Sequence, residues 1–296
     1  MTPLLDRIRN GDVLLADGAM GTLLLGAGLK PGGCPESLNL DRPELLEKIA
    51  HNYFNAGAEI LQTNTFGASP LKLAAYGLAE QTEEINLGAV QAVRRAIGGR
   101  AYVCACCGPS GKLLKPYGDT EPEVLARSFE RQLRSLVEAG IDAVNFETMI
   151  DLSEAEIAVK AARSVAPELT VVATMTFQPT RRGLFTIMGN TIAETARRLT
   201  AAGADVVGSN CGNGVELMLE IAGEFRKVGT MPISIRPNAG IPQLIAGKPV
   251  YPETPEFMAA RVPDLVRAGV SIIGGCCGTT PEHIRAFRAA LNLLQT

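Results

Sequence analysis

The sequence predicts a (β/α)8 TIM barrel, and three observations predict it. Short apolar, β-branched runs recur eight times, and the stretches between them carry apolar residues at the three- and four-residue steps of a helix. An Ala-Gly step precedes a strand-like run at 56–57, 139–140, 202–203 and 268–269, where glycine can take the left-handed conformation that ends a helix. The length of 296 residues suits one barrel, which typically needs ~250, with extended loops.

In chain order, the expected strands are 13–17, 59–65, 102–107, 143–147, 170–177, 206–211, 232–237 and 271–276. The clearest helix covers 43–56: Leu45, Leu46, Ile49 and Tyr53 fall on one face and Glu44 and Glu47 on the other, with Asp41 placed to cap it and Pro43 in its first turn. The longest irregular stretches, 26–42 and 238–253, fall near the rim, where a barrel builds its active site. A doubly wound open sheet is the competing fold, but no Gly-x-Gly-x-x-Gly follows the first strand. No linker or low-complexity segment divides the chain, so a single domain over 1–296 is expected.

Composition excludes several functions. The apolar fraction is 46%, ample for a core, whereas aromatics are 5% and tryptophan is absent, which argues against a stacking surface for single-stranded nucleic acid. Net charge is −3 and no dense basic block occurs, so no phosphate track is expected. The first ten residues mix acid and base without the apolar core of a signal peptide, and no run of ~18 apolar residues could span a membrane. Seven cysteines without an export signal suggest a reducing, cytoplasmic setting, where clustered thiols bind metal or do chemistry.

A barrel places its reacting groups at the C-terminal ends of its strands. Those ends read Asp17 to Thr22, Thr63-Asn64-Thr65, Cys106-Cys107-Gly108, Glu147, Thr176-Phe177, Asn210-Cys211, Arg236-Pro237-Asn238 and Cys276-Cys277. Cys211, Cys276 and Cys277 can supply three ligands of a tetrahedral zinc, leaving the fourth position open as catalytic zinc sites do. Neighbouring residues of a strand face opposite ways, so Cys276 and Cys277 can share an ion only if the strand has broken, which Gly274, Gly275 and Gly278 permit. Buried structural thiols and a strained vicinal disulfide are the competing readings.

Thiolates without nearby imidazole favour zinc, and a thiol bound to zinc is deprotonated while its sulfur stays nucleophilic, so the reaction class is alkyl transfer to a thiol. Glu147 and Asp17 suit the ammonium of an amino-acid substrate, and the turn 18–21 can offer N–H groups to its carboxylate. A capping role for Asp17 and an internal ion pair for Glu147 stand beside those readings. Cys106 and Cys107 are read as packing or pocket lining, with Cys104 given no role; His51 and His283 fall on helices away from the strand ends.

Five motifs, Asp-Gly-Ala-Met-Gly-Thr at 17–22, Thr-Asn-Thr-Phe at 63–66, Phe-Glu-Thr at 146–148, Ser-Asn-Cys-Gly at 209–212 and Gly-Gly-Cys-Cys-Gly-Thr at 274–279, together resemble the homocysteine S-methyltransferases over nearly the whole chain. The resemblance implies zinc on Cys211, Cys276 and Cys277, homocysteine sulfur as fourth ligand, and methionine as product. It also implies substrate contacts from Asp17, Gly18, Ala19, Met20, Asn64, Glu147 and Asn210. The first motif and residues 36–44 are most similar to the homocysteine module of cobalamin-dependent methionine synthase. The chain lacks Asp-x-His-x-x-Gly for a corrinoid, so the implied donor is methylcobalamin or a methyl-corrinoid on a separate protein. S-methylmethionine, betaine or another small donor, or a different thiol acceptor, are the alternatives. Cys-Ala-Cys-Cys-Gly-Pro at 104–109 departs from the Ser/Gly-rich stretch the family carries before that Gly-Pro.

Overall fold

A computed structural model describes residues 1–245 and 248–294. Eight parallel strands form its sheet: β1 (Leu14–Leu15), β2 (Ile60–Gln62), β3 (Tyr102–Cys107), β4 (Ala143–Met149), β5 (Thr170–Met175), β6 (Val206–Asn210), β7 (Ile233–Arg236) and β8 (Val270–Ile273). They pair in sequence order from β2 to β8, and β8 pairs with β1. The Ala16–Ile60 bridge, with the Glu59 N–H to Leu15 O bond of 2.7 Å, joins β1 to β2 and closes the barrel. The fold is the (β/α)8 barrel that the alternation predicts. Helices Pro43–Asn55, Thr82–Ile97, Pro122–Glu138, Leu152–Val165, Ile192–Ala202, Val215–Val228 and Pro281–Leu293 surround it, with the short pair Pro255–Ala259 and Val262–Arg267 between β7 and β8.

The four Ala-Gly joints behave as their chemistry requires: Gly57, Gly140, Gly203 and Gly269 have φ of 103°, 87°, 112° and 81°. Local chemistry read less well at the helix Pro43–Asn55. Asp41 ends a preceding turn, Leu38–Asp41, and Arg42 occupies the cap position without a side-chain cap bond. The irregular rim loops also hold structure. Turns at Pro35–Ser37 and Leu38–Asp41 lie in the first, and short antiparallel strand pairs follow β5 (Gln178–Thr180 with Gly183–Phe185) and β7 (Gln243–Ile245 with Lys248–Val250).

Strand alternation sorts side chains into two cores. Leu15, Leu61, Val103, Ala105, Cys107, Val144 and Phe146 face outward and pack against the helices. Leu14, Ala16, Ile60, Tyr102, Cys104, Ala143, Val172, Val206 and Ile272 face inward, and Leu4 and Ile8 of the N-terminal helix join them at the barrel floor. Above that apolar floor the inward positions turn polar, with Gln62, Asn145, Ser234 and Arg236, all buried. Among the described residues, no helix is long and apolar enough to cross a membrane.

Candidate functional site

A cavity of about 270 Å³ opens at the C-terminal ends of the strands. Its lining includes Asp17, Gly18, Ala19, Met20, Asn64, Glu147, Cys211, Cys276 and Cys277, together with Gln62, Cys106 and Arg236.

The three cysteines meet there. Their Sγ atoms all lie within 4.8 Å of one another, and Cys211 and Cys277 are 3.8 Å apart. A tetrahedron with Zn–S bonds of ~2.3 Å has edges of about 3.8 Å, so the spacing fits a shared zinc ion. It is far beyond the ~2.05 Å of a disulfide, and all seven cysteines are unbridged.

The backbone explains how two adjacent cysteines reach one point. Strand β8 ends at Ile273, and Gly275 and Cys276 then donate N–H bonds to Asp17 O (2.9 Å) and Pro237 O (2.8 Å). Gly278 turns the chain at φ 80°, and a Cβ there would meet the Tyr251 ring at 2.1 Å. Cys211 itself sits at φ 60°, a left-handed conformation that costs a non-glycine residue ~1 kcal/mol or more and occurs mainly at functional sites. Thr148, at φ 59° beyond Glu147, shares it. Asn210, next to Cys211, ties Thr148 to Cys276: its Oδ1 accepts from Thr148 N (2.7 Å) and its Nδ2 donates to Cys276 Sγ (3.8 Å).

The sulfur chemistry favours a cation. Donation from Cys276 and Cys277 holds the Cys211 thiol far below the ordinary range, and that same thiolate raises both partners. Three converging thiols can thus hold one negative charge among themselves, and full deprotonation needs a metal ion. Asn238, on the loop after β7, adds a buried Oδ1 with no partner among the described residues.

A buried charge cluster lines the same cavity. Arg236 donates to Asp17 Oδ1 (2.8 Å), Glu147 Oε2 (3.4 Å), Gln62 Oε1, Asp17 O (3.2 Å) and Gly275 O (3.2 Å). Burial opposes its charge, yet Asp17 and Glu147 outweigh burial and hold it ionised. Burial lifts the Asp17 carboxyl to about 6 against the pull of Arg236, and raises Glu147 in the same way. One guanidinium between two carboxylates leaves an anionic excess that a substrate cation would neutralise.

The two carboxylates differ in what remains free. Asp17 Oδ2 accepts from Gln62 N (2.7 Å) and Oδ1 from Arg236, so both its oxygens are engaged. Glu147 Oε2 accepts from Gln62 Nε2 (3.0 Å), Asn145 Nδ2 (2.9 Å) and Arg236, whereas among the described residues Oε1 has only the Cys106 thiol, at 3.2 Å.

Asn210, expected at the substrate, is fully buried behind the cysteines and does not line the cavity, whereas Asn64 and the turn at 18–20 line it and make bonds of their own. Asn64 Nδ2 bonds Pro35 O and Asn39 Oδ1, fastening the 35–41 loop to β2. The Ala19 N–H is taken by Thr279 Oγ1 at 3.1 Å, while Tyr53 donates to Ala19 O at 2.8 Å, which knits the first loop to the cysteine loop. Gly18 is required by closeness, since a Cβ would lie 2.6 Å from Thr279 Oγ1. His283 is buried in a capping box with Thr280, and His51 is exposed, so neither histidine reaches the cavity.

Sequence reasoning assigned no role to Arg236 or Gln62. Each lies in strand phase with inward neighbours, and a charged or amide residue in that phase was the available signal.

Comparison with known proteins follows this geometry. The homocysteine S-methyltransferase family model matches residues 14–291. Methionine synthase of Mycobacterium tuberculosis is 34% identical over 98% of this chain, and that of Mycobacterium leprae 33% over 94%. The chain spans about a quarter of the length of these curated relatives, 25% and 24%. Among solved structures, the metallated form of homocysteine methyltransferase MmuM from Escherichia coli superposes with a TM-score of 0.80 at 24% identity, covering 97% of this chain and 99% of that one. The carboxyl transferase domain of Rhizobium etli pyruvate carboxylase shares the barrel, with a TM-score of 0.54 at 14% identity, covering 97% of this chain and 48% of that one. This chain belongs to the homocysteine S-methyltransferase family.

Proposed function

We propose that this chain, acting as a single barrel domain over 1–296, transfers a methyl group to the thiol of homocysteine to give methionine. The observation that carries the reading is that the three-sulfur cluster and a buried, anion-rich cluster line one small cavity. Cys211, Cys276 and Cys277 would hold zinc. Bound there, zinc would supply a thiolate from an incoming thiol at neutral pH.

The remaining work falls to the chain. Glu147 Oε1 takes the substrate ammonium, since it is the carboxylate oxygen with least satisfaction. Asp17 and Arg236 hold Glu147 in place rather than touching the ammonium themselves. The turn at Gly18, Ala19 and Met20 faces the same cavity and sets the amino-acid end, with Ala19 contributing shape because its N–H is engaged. Asn210 positions Cys276, and Asn64 fixes the loop wall. The substrate thiol gives up its proton to solvent, and its sulfur then attacks the donor methyl in line, the carbon–sulfur bond forming as the donor–methyl bond breaks and the demethylated donor leaves with that bond's electron pair.

For the donor we propose a methyl-corrinoid on a separate protein, with free methylcobalamin as its small-molecule substitute. The motif at 17–22 and residues 36–44, similar to the homocysteine module of cobalamin-dependent methionine synthase, support that choice over S-methylmethionine or betaine. The test is methionine formation from homocysteine by zinc-loaded protein, run with methylcobalamin, S-methylmethionine and betaine in parallel. Turnover with methylcobalamin is expected, and turnover with S-methylmethionine alone would reassign the donor.

A further inference from the structure

Strand β3 carries three cysteines in four positions, and alternation gives each a different fate. Cys107 packs outward among the helices, and Cys104 sits on the apolar barrel floor. Cys106 alone lines the substrate cavity. It is 5% exposed, and its Sγ lies 3.2 Å from Glu147 Oε1. Its backbone is fixed as well, because Thr65 Oγ1 donates to Cys106 O (2.7 Å) while the Cys106 N–H reaches Thr63 and Thr65 Oγ1 (3.3 Å each).

We infer that Cys106 is a positioning residue, a deliberately weak donor that keeps Glu147 Oε1 aimed into the cavity without satisfying it. The inference rests on the reading that Glu147 takes the substrate ammonium. Three nitrogen donors fix Oε2, so the carboxylate can pivot only at Oε1. A thiol is a poor hydrogen-bond donor, and its single contact leaves the oxygen's other lone pair open. Burial and the facing carboxylate keep the thiol protonated, so it remains a donor and not a nucleophile. An ammonium arriving at Oε1 then gains a charge-assisted bond that the thiol never supplied. A hydroxyl in its place is a stronger donor on a shorter bond, so it would draw Glu147 Oε1 back toward β3 and compete with the ammonium, and an apolar side chain would release the oxygen.

The test compares homocysteine with 4-mercaptobutanoate, the same thiol acid without the amine. Zinc-loaded wild type, Cys106→Ser and Cys106→Val are titrated calorimetrically with each compound. Wild type is expected to prefer homocysteine, and that preference is expected to fall roughly five- to tenfold in both variants, the worth of about one hydrogen bond. Affinity for 4-mercaptobutanoate should stay within about twofold, because it offers Glu147 nothing. An unchanged preference in the valine variant overturns the inference and leaves the thiol as mere filling. The serine variant, close in size, decides the matter if valine disturbs folding. A wild type that shows no preference fails at the underlying reading, since Glu147 would then not hold the ammonium.

Discussion

The two walls of the cavity are built on opposite plans. The sulfur wall, after β6 and β8, is shaped by backbone: a left-handed Cys211, a strand broken at Gly274, a turn at Gly278, and three thiols with few other partners. The charged wall, from β1, β2, β4 and β7, is shaped by side chains: Arg236, Asp17, Gln62, Asn145 and Glu147 satisfy one another almost completely. A wall with unmet valence awaits an ion, and one whose carboxylates are nearly saturated selects what fits the carboxylate oxygen left to a weak donor, Glu147 Oε1. Substitutions on the two walls should therefore fail in different ways.

The largest expected difference is between Cys211→Ala and Glu147→Gln. The first should lose stoichiometric zinc and lower turnover by on the order of a thousandfold, while the fold persists. The second should keep its zinc and raise KM for homocysteine by about ten- to a hundredfold, the loss of a charged hydrogen bond. Metal analysis beside steady-state kinetics separates them, and loss of zinc in both would merge the two walls into one unit.

Arg236→Met attacks the charged wall at its centre. It leaves two buried carboxylates without a counter-charge, which should destabilise the fold by about 3–5 kcal/mol. Denaturant melts are expected to show the deficit at pH 8 and to recover part of it at pH 5, where Asp17 and Glu147 can protonate. The same melts should spare Cys211→Ala.

The smallest expected effect is in pH. Burial lifts Asp17 from an ordinary 3.8 to about 6. Its folded pKa is the higher one, so its contribution to stability is present below about 3.8 and lost as pH rises to about 6. An ammonium held at neighbouring Glu147, whose carboxyl burial raises in the same way, acts on Asp17 through space and offsets that loss. Homocysteine should therefore raise Tm more at pH 8 than at pH 5, and its affinity should weaken as pH falls through about 6. Equal Tm shifts at both values would show that the carboxylates stay clear of the substrate charge.

Legibility also divided along these walls. The sulfur wall could be read because its signal is local: cysteine and glycine at the end of an apolar run, with four Ala-Gly joints fixing where strands begin. The charged wall could be read only in part. Glu147 and Asp17 stand at strand ends, but Arg236 closes on Asp17 across 219 positions of sequence and on Gln62 across 174. Such a pairing emerges only when the barrel closes. The cap at Arg42 and the hairpins after β5 and β7 escaped for another reason. Arg42 follows a turn that ends on Asp41, and the hairpin strands are three residues long and mostly exposed, so they carry no apolar alternation to read.

The most direct measurement is zinc K-edge X-ray absorption on the zinc-loaded protein, before and after adding homocysteine. Three sulfur neighbours and one lighter atom are expected first, and four sulfurs near ~2.3 Å afterwards. Fewer than three sulfurs at the start, or a spectrum that homocysteine leaves unchanged, would contradict the assignment of Cys211, Cys276 and Cys277 as an open site for the substrate thiol.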